Sequence, residues 1–347
     1  MTEQMTAALM YEPGDVRVEQ VEIPAIGPDD LLVKVAACGV CGSDIPRMNF
    51  SGAYRYPLIC GHEFSGHVVD AGANVTGFAQ GDLVSVPPLL PCRNCESCAE
   101  GNFSLCENYD YFGSRRDGAY AQFVDVPADN ALLMPKDLDP RAAAMIDPSA
   151  IALHAVLKCG DMTDKRVAVL GAGPIGLFAV QWAKLLGAGE VLALDLSEEK
   201  AQMARVAGAD LTALTSEEAL EAAGRGFDVI IETAGVPPTI ALAPNLAARH
   251  GHAAFIGIPH QPVQLDKGTF SNFLRHEVSL HGSWNSFSAP FPGTEWTDSA
   301  DRLSDGSLKW EFMITHELPL AEVPGTMKAL ADRSIFSSKV LFMPNQP

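Results

Sequence analysis

The sequence predicts an α/β protein of two domains, a β-rich one split around a parallel-sheet one, and three observations carry that reading. A length of 347 residues suits two cores of roughly 100–200 residues each. Up to about residue 135 short β-branched runs alternate with turn residues, whereas from about 150 apolar strands alternate with Ala-rich helical stretches. After about 284 the texture changes again, to Trp, Phe and Pro in loops, and the chain closes on the strand-like SSKVLFMP. No internal repeat or low-complexity linker intervenes, so the middle region reads as an insertion whose flanks form one lobe. The expected domains are residues 1–150 with 285–347, and residues 151–284.

Along the chain, LLVKVAA (31–37), GHVVDAG (66–72) and DLVSV (82–86) read as strands of an all-β, barrel-like lobe, each bounded by Gly, Asn or Pro. RVAVL (166–170), the helical GPIGLFAVQWAKLLGA, VLALD and SEEKAQMARVAGA then give the βαβ rhythm of a parallel sheet, and a helix is expected near 297–305. A hydrophobic content of 47% with 30 Gly and 24 Pro excludes disordered and collagen-like classes. The formal charge of -19 opposes phosphodiester backbones and acidic membrane surfaces, so neither nucleic acid nor a membrane is an expected partner. The start, MTEQMTAALMYEPGD, lacks the basic and apolar regions of a secretion signal, and apolar runs break before about 18 residues. A cytoplasmic, reducing setting is expected, in which the eight cysteines form no disulfide framework; five are assigned to metal, and Cys38, Cys60 and Cys159 read as ordinary buried thiols.

Three constellations carry chemistry. Cys92-x2-Cys95-x2-Cys98-x7-Cys106 supplies four thiolates, which close a tetrahedral shell around Zn2+ and leave no open position, so this site is structural. Cys41-Gly-Ser43-Asp44, followed by Gly61-His62-Glu63, offers a thiolate, an imidazole and a carboxylate. That set is too small to saturate a metal and suits a catalytic zinc with room for water or substrate; a redox reading of Cys38 with Cys41 lacks the βαβ context. Gly171-Ala-Gly173-Pro174-Ile175-Gly176 follows a strand and opens a helix, so its amides and dipole face a pyrophosphate, as in a Rossmann domain. Asp195, at the end of the next strand, is placed to accept both ribose hydroxyls and to repel a 2'-phosphate, which favours NAD over NADP.

CGSD, GHEFSG, the four-cysteine lobe, GAGPIG and the acid of VLALD, in that order, resemble the zinc-dependent medium-chain dehydrogenase/reductase superfamily over essentially the whole chain. CGSDIPR, PLLPC, GSRRDG (113–118), ETAGVP (232–237) and GSW...PFPGTEW (282–296) are similar to its polyol dehydrogenases, hexitol-phosphate enzymes among them. The resemblance implies a GroES-like β-rich catalytic domain plus a Rossmann doubly wound parallel-sheet domain, with NAD and two Zn2+ per subunit, one catalytic and one structural. It places Cys41, His62 and Glu63 on the catalytic zinc ligands and Asp147 where related enzymes have the longer Glu. Asp147 then binds the metal or its water, or else caps a helix beginning at Pro148. Pro46 stands where many relatives have a histidine that passes on the alcohol proton, which leaves Ser43 as the first proton-transfer candidate. Ser43, Glu63 and Asp147 are thus the expected catalytic side chains, and Thr233, Gly235, Ile258 and Trp284 are expected near the nicotinamide, with Trp284 also readable as core.

The implied reaction is oxidation of a secondary hydroxyl of a hexitol, free or as its 1-phosphate, to the ketose by hydride transfer. Another secondary alcohol or diol is the alternative substrate class. Arg47, Arg115 and Arg116 read either as phosphate holders or as ordinary surface arginines. A zinc-free reductase of the same superfamily and a non-enzymatic nucleotide-binding protein are the rivals, against which Cys41, His62 and the cysteine lobe speak. The expected partners are a small polyol or polyol phosphate and further copies of the chain, as a homodimer or homotetramer.

Overall fold

A computed structural model describes residues 3–346. The chain divides into two units, one running up to Asp147 with Phe287–Ser304 and the residues from Ile314 on, the other comprising Pro148–Ser286 and Asp305–Met313. The division departs from the expected 285–347 flank at one stretch, 305–313, which joins the inserted unit. The reason is local: Gln181 Nε2 donates to the Lys309 carbonyl (2.9 Å) and Lys309 N donates to Gln181 Oε1 (2.7 Å), so one amide satisfies a peptide unit of that loop in both directions.

In the first unit the strand Asp30–Gly39 buries Leu31, Val33 and Val35 on one alternating face, the period that a half-buried strand requires, and an irregularity before Ala37 turns that residue to another cluster, with Ala144 and Leu341. It pairs antiparallel with Glu63–Ala71 along one edge. Along the other, its first half pairs with Phe123–Pro127 and its end with the closing strand Lys339–Phe342. These belong to a seven-stranded sheet, and a three-stranded sheet of Asp15–Glu22, Gln4–Glu12 and Leu58–Ile59 touches it through a bridge between Ala7 and Ala121. Leu89–Leu90 and Asp110–Tyr111 form a further two-stranded sheet, so among the described residues the expected all-β lobe is three sheets rather than a simple barrel, and it also carries the helices Pro140–Ala144, Thr294–Ser304 and Val323–Ala331. Its core joins Val33, Val35, Phe64 and Val84 to Leu320, Val323, Met327, Val340 and Phe342 from the far end of the chain.

The second unit is a six-stranded parallel sheet whose order, numbering its strands along the chain, is 3-2-1-4-5-6. Arg166–Leu170, Glu190–Leu194 and Phe227–Glu232 are near-continuous apolar runs because helices cover both faces, leaving no solvent side to favour polar residues. The helix Pro174–Leu185 begins at a proline, whose missing N–H is no loss in a first turn. Ser197 caps the next helix, Glu198–Val206, by accepting from Lys200 N. Among the described residues no helix is long and apolar enough to cross a membrane.

Candidate active site

Antiparallel pairing of Gly39 with Glu63 sets a candidate metal-binding cluster, because it lays the residues that follow one strand beside those that begin the other. Cys41 lies just past the first strand and His62 just before the second, and one donor atom each of Cys41, His62 and Glu63 falls within 4.8 Å of the others. His62 and Glu63 are buried and Cys41 is half-buried. Gly61 makes the turn into His62 at φ +90°, a backbone state where a Cβ would also run into the Tyr120 ring. A buried thiolate, imidazole and carboxylate converging in this way fit a Zn2+ ion.

Two residues that sequence reasoning gave no role frame this cluster. Asp44, fully buried, accepts from Cys41 N, Tyr120 Oη and Arg47 Nη1 at 3.1 Å each, and its Oδ1 lies 3.4 Å from His62 Nδ1, within reach of its charge though not aligned for a hydrogen bond. Burial alone would push the Asp44 carboxyl up, but His62, Arg47 and the Cys41 amide outweigh it and hold it below the usual range. Burial likewise works against a charged His62, and Asp44 and Cys41 reverse that, so the imidazole holds a proton more tightly than usual in the metal-free protein. Lys339, also buried, donates to Glu63 Oε2 and to the Val40 carbonyl (3.1 Å), which anchors the carboxylate from the last strand. The sequence did carry signals for both: an acid three residues after Cys41, and a lone lysine in an apolar strand.

Asp147 is buried beside this group but stands outside the cluster of three donors. It does not precede a helix beginning at Pro148 either, since the helix is Ile146–Lys158 and Asp147 sits in its first turn. Burial, then the negative charge of Glu63, push its carboxyl well up. Ser43 precedes the short helix Asp44–Pro46, half-buried, and its hydroxyl makes no hydrogen bond among the described residues. The Tyr111 ring meets His62 edge-on, with centroids 5.5 Å apart.

The four-cysteine lobe closes on itself as its spacing implies. Cys92 Sγ and Cys98 Sγ are 4.0 Å apart, as are Cys95 Sγ and Cys106 Sγ, near the ~3.8 Å that a tetrahedron of about 2.3 Å Zn–S bonds sets. Backbone N–H groups of Glu107 and Cys98 point at Cys95 and draw its thiol down to about 6, which prepares a thiolate for metal. Ser104 ties the lobe to the segment after residue 286, its Oγ accepting from Phe287 N (2.8 Å).

In the second unit Gly171 takes φ +100°, and a Cβ on Gly173 would point into open space, which leaves a bare backbone that a pyrophosphate can approach. Gly176 packs its Cα against the Gly171 carbonyl, seating the first helical turn, Pro174 and Ile175 included, on the loop. Asp195 lies one residue past its strand; its Oδ2 accepts from Ala172 N (2.9 Å) and its Oδ1 from Ser197 N (3.1 Å), so the carboxylate is held at the glycine loop. Thr233 Oγ1 bonds the Leu170 and Gly171 carbonyls (3.0 Å each) and thereby braces the same loop. Fully buried Glu232, which the sequence shows only as the first residue of ETAGVP with no role of its own, accepts through Oε1 from Ala234 N, Gly235 N and Thr239 Oγ1. It fixes the turn at Gly235 (φ +65°). Ile258 and Trp284 are 52% and 47% exposed, so Trp284 is not a core residue.

The family models agree with this geometry. The alcohol dehydrogenase GroES-like domain matches residues 27–136 and the zinc-binding dehydrogenase domain residues 174–301. The chain belongs to the zinc-dependent medium-chain dehydrogenases. It is 39% identical to galactitol 1-phosphate 5-dehydrogenase of Escherichia coli (strain K12) over 338 residues, 95% of this chain and 97% of that one. It is 30% identical to sorbitol dehydrogenase of Bacillus subtilis (strain 168), covering 99% and 98% of the two chains. L-threonine 3-dehydrogenase of Symbiobacterium thermophilum is 31% identical over 99% of both. The crystal structure of galactitol-1-phosphate dehydrogenase from Escherichia coli superposes with a TM-score of 0.93 at 37% identity, covering 98% of this chain and 100% of that one. As a medium-chain dehydrogenase, the protein is an oxidoreductase of CH–OH groups that works with zinc and a nicotinamide nucleotide.

Proposed function

We propose that this dehydrogenase oxidises a secondary hydroxyl of a hexitol, free or as its 1-phosphate, to the corresponding ketose with NAD. The observation that carries the reading is the convergence of Cys41, His62 and Glu63 donors within 4.8 Å inside a buried, charged frame. The likeness to hexitol and hexitol-phosphate dehydrogenases over nearly the whole chain supports the substrate class.

Cys41, His62 and Glu63 hold the catalytic zinc, and Cys92, Cys95, Cys98 and Cys106 the structural one. When bound, the catalytic zinc supplies a Lewis acid for the reacting hydroxyl, and NAD supplies the hydride acceptor. Asp44 offers negative charge beside His62 Nδ1, as a carboxylate behind a metal-binding imidazole does. Ser43, with a hydroxyl that no protein group engages among the described residues, takes the alcohol proton and passes one onward, since Pro46 has nothing with which to do so. Asp147, outside the donor cluster, accepts from a neighbouring hydroxyl of the polyol or from a water. Gly171, Gly173 and Gly176 admit the pyrophosphate, Asp195 binds the ribose hydroxyls, and Thr233, Gly235, Ile258 and Trp284 border the nicotinamide.

The test compares kcat/KM for galactitol, altritol, sorbitol and their 1-phosphates with NAD. Turnover of at least one hexitol, lost when zinc is removed and restored by its return, is the expected result. Oxidation of simple secondary alcohols or diols with no activity on any hexitol would overturn the substrate class while leaving the family assignment untouched.

A further inference from the structure

Three arginines lie on the two segments that flank the cluster, Arg47 after Cys41 and Arg115 and Arg116 after Tyr111, and their surroundings differ. Arg47 is bonded to buried Asp44 (3.1 Å). Arg116 is bonded to Asp125 (2.6 Å) and lies over the Phe112 ring. Arg115 has no carboxylate partner among the described residues. Half-buried, its Cζ stands 4.7 Å from the centroid of the Tyr54 ring and 4.4 Å from that of Tyr109, and its side-chain N–H groups make no hydrogen bond among those residues. The rings run on toward the metal ligands: Tyr109 meets Tyr111 with centroids 6.1 Å apart, and Tyr111 meets His62.

We propose that Arg115, held between Tyr54 and Tyr109, is the subsite for the phosphate of a phosphorylated polyol. This rests on the reading of the enzyme as a hexitol dehydrogenase and names which form of the substrate it takes. A guanidinium offers a planar fork of N–H donors that matches two phosphate oxygens, and a phosphate monoester carries about -1.5 to -2 charges at neutral pH. In Arg47 and Arg116 a carboxylate already occupies such donors; among the described residues none occupies those of Arg115. The ring contacts restrict the side chain beforehand, so less rotamer freedom is lost when the fork closes on its ligand. On a chain of net charge -19 a half-buried cation without a carboxylate partner, linked to His62 through the Tyr109 and Tyr111 rings, gives an anionic substrate the local attraction that the rest of the molecule denies it. A free hexitol has no group for this fork, so Arg115 acts on one substrate form and not the other.

The experiment uses the zinc-loaded enzyme with NAD and measures kcat/KM for a hexitol 1-phosphate and for the same hexitol without phosphate, in wild type, Arg115→Ala and Arg115→Lys. Wild type is expected to prefer the phosphate ester. Arg115→Ala should lose roughly 10- to 150-fold on the ester, the range that one charge-assisted contact supplies, with the free hexitol changed less than about threefold. Arg115→Lys should fall between, since a point charge replaces a fork. Activity on the free hexitol also reports that each variant is folded. Equal losses on both substrates would make Arg115 a structural residue and overturn the inference, as would no loss on the ester. Equal kcat/KM of wild type for both forms overturns the inference while the hexitol reading stands. If wild type oxidises neither form, the hexitol reading falls and the subsite falls with it.

Discussion

Lys339 shows what a single side chain contributes to this site. Its ammonium is fully buried against Glu63, and although burial opposes the charge, Glu63 outweighs it and raises the lysine's pKa. Removing one partner of such a pair leaves the other charged and unpaired in a buried setting, at about 3–5 kcal/mol. Lys339→Met should therefore lower Tm and weaken zinc at the Cys41 site by about 10- to 100-fold, the usual cost of losing a group behind a metal ligand, with partial recovery in Lys339→Arg. Chelator competition and calorimetry check this; unchanged zinc affinity with unchanged Tm would show that the pair is dispensable. The residue was legible in the sequence only as an oddity, a lysine among Ser338, Val340, Leu341 and Phe342. Its partner lies 276 positions away, and nothing but the pairing of the last strand with Asp30–Gly39 brings them together. Asp44 was quoted within CGSD yet assigned nothing, because its role depends on Tyr120 and His62 arriving from elsewhere. Asp147, read from the resemblance as binding the metal or its water, is buried beside the three donors and outside their cluster.

At the level of elements, what is local in sequence was readable and what is assembled across strands was not. The cysteine lobe spans fifteen residues and the glycine loop six, so spacing alone fixes most of their geometry. Cys98→Ser should lower zinc from about two to about one per chain, sparing the Cys41 site, and make residues 92–106 the first point of proteolysis. Loss of both zincs would instead show that the lobe and the catalytic cluster fold as one. The histidine pair of the second unit gave no such signal. His252 on the strand Ala247–Phe255 and His281 on Ser279–Gly282 face each other, Nδ1 to Nε2 at 3.0 Å, with stacked rings. Burial, then His252 and Lys158, depress the pKa of His281. The unfolded chain therefore binds more protons than the folded one just below about pH 6.5, so stability is lost as pH falls through that window. His281→Gln should reduce the drop in Tm between pH 7.5 and 5.5; an identical drop in the variant would assign the acid sensitivity elsewhere.

The whole molecule is organised by an asymmetry between its two units. The parallel sheet is built entirely from one continuous stretch, Arg166 to Gly282, whereas the zinc-binding unit takes strands from both ends of the chain. Texture changes along the sequence pointed to the insertion, since βαβ rhythm starts and stops abruptly; they did not show 305–313 crossing back, because the contacts that join it to the inserted unit, such as Gln181 with Lys309, lie 128 positions apart in sequence. The tail from Ile314 supplies Leu320, Val323, Met327, Val340, Leu341 and Phe342, all buried, to the first unit. At about 1.5–3 kcal/mol per buried side chain these six contribute roughly 9–18 kcal/mol, comparable to the whole stability of a domain at about 5–15 kcal/mol. A fragment ending at Asp147 also lacks Lys339, so Glu63 loses its partner together with the strand that covers it. Expressed alone, residues 1–147 should show no cooperative unfolding transition even with zinc, whereas residues 148–313 should fold and bind NAD at the glycine loop, read by calorimetry and by quenching of the fluorescence of Trp182, Trp284, Trp296 and Trp310. A cooperatively folded 1–147 fragment would mean that the closing strand is an accessory to this core. Restoring residues 314–347 in trans should then leave its stability unchanged, where a unit that needs this tail, alongside Phe287–Ser304, should gain stability from it.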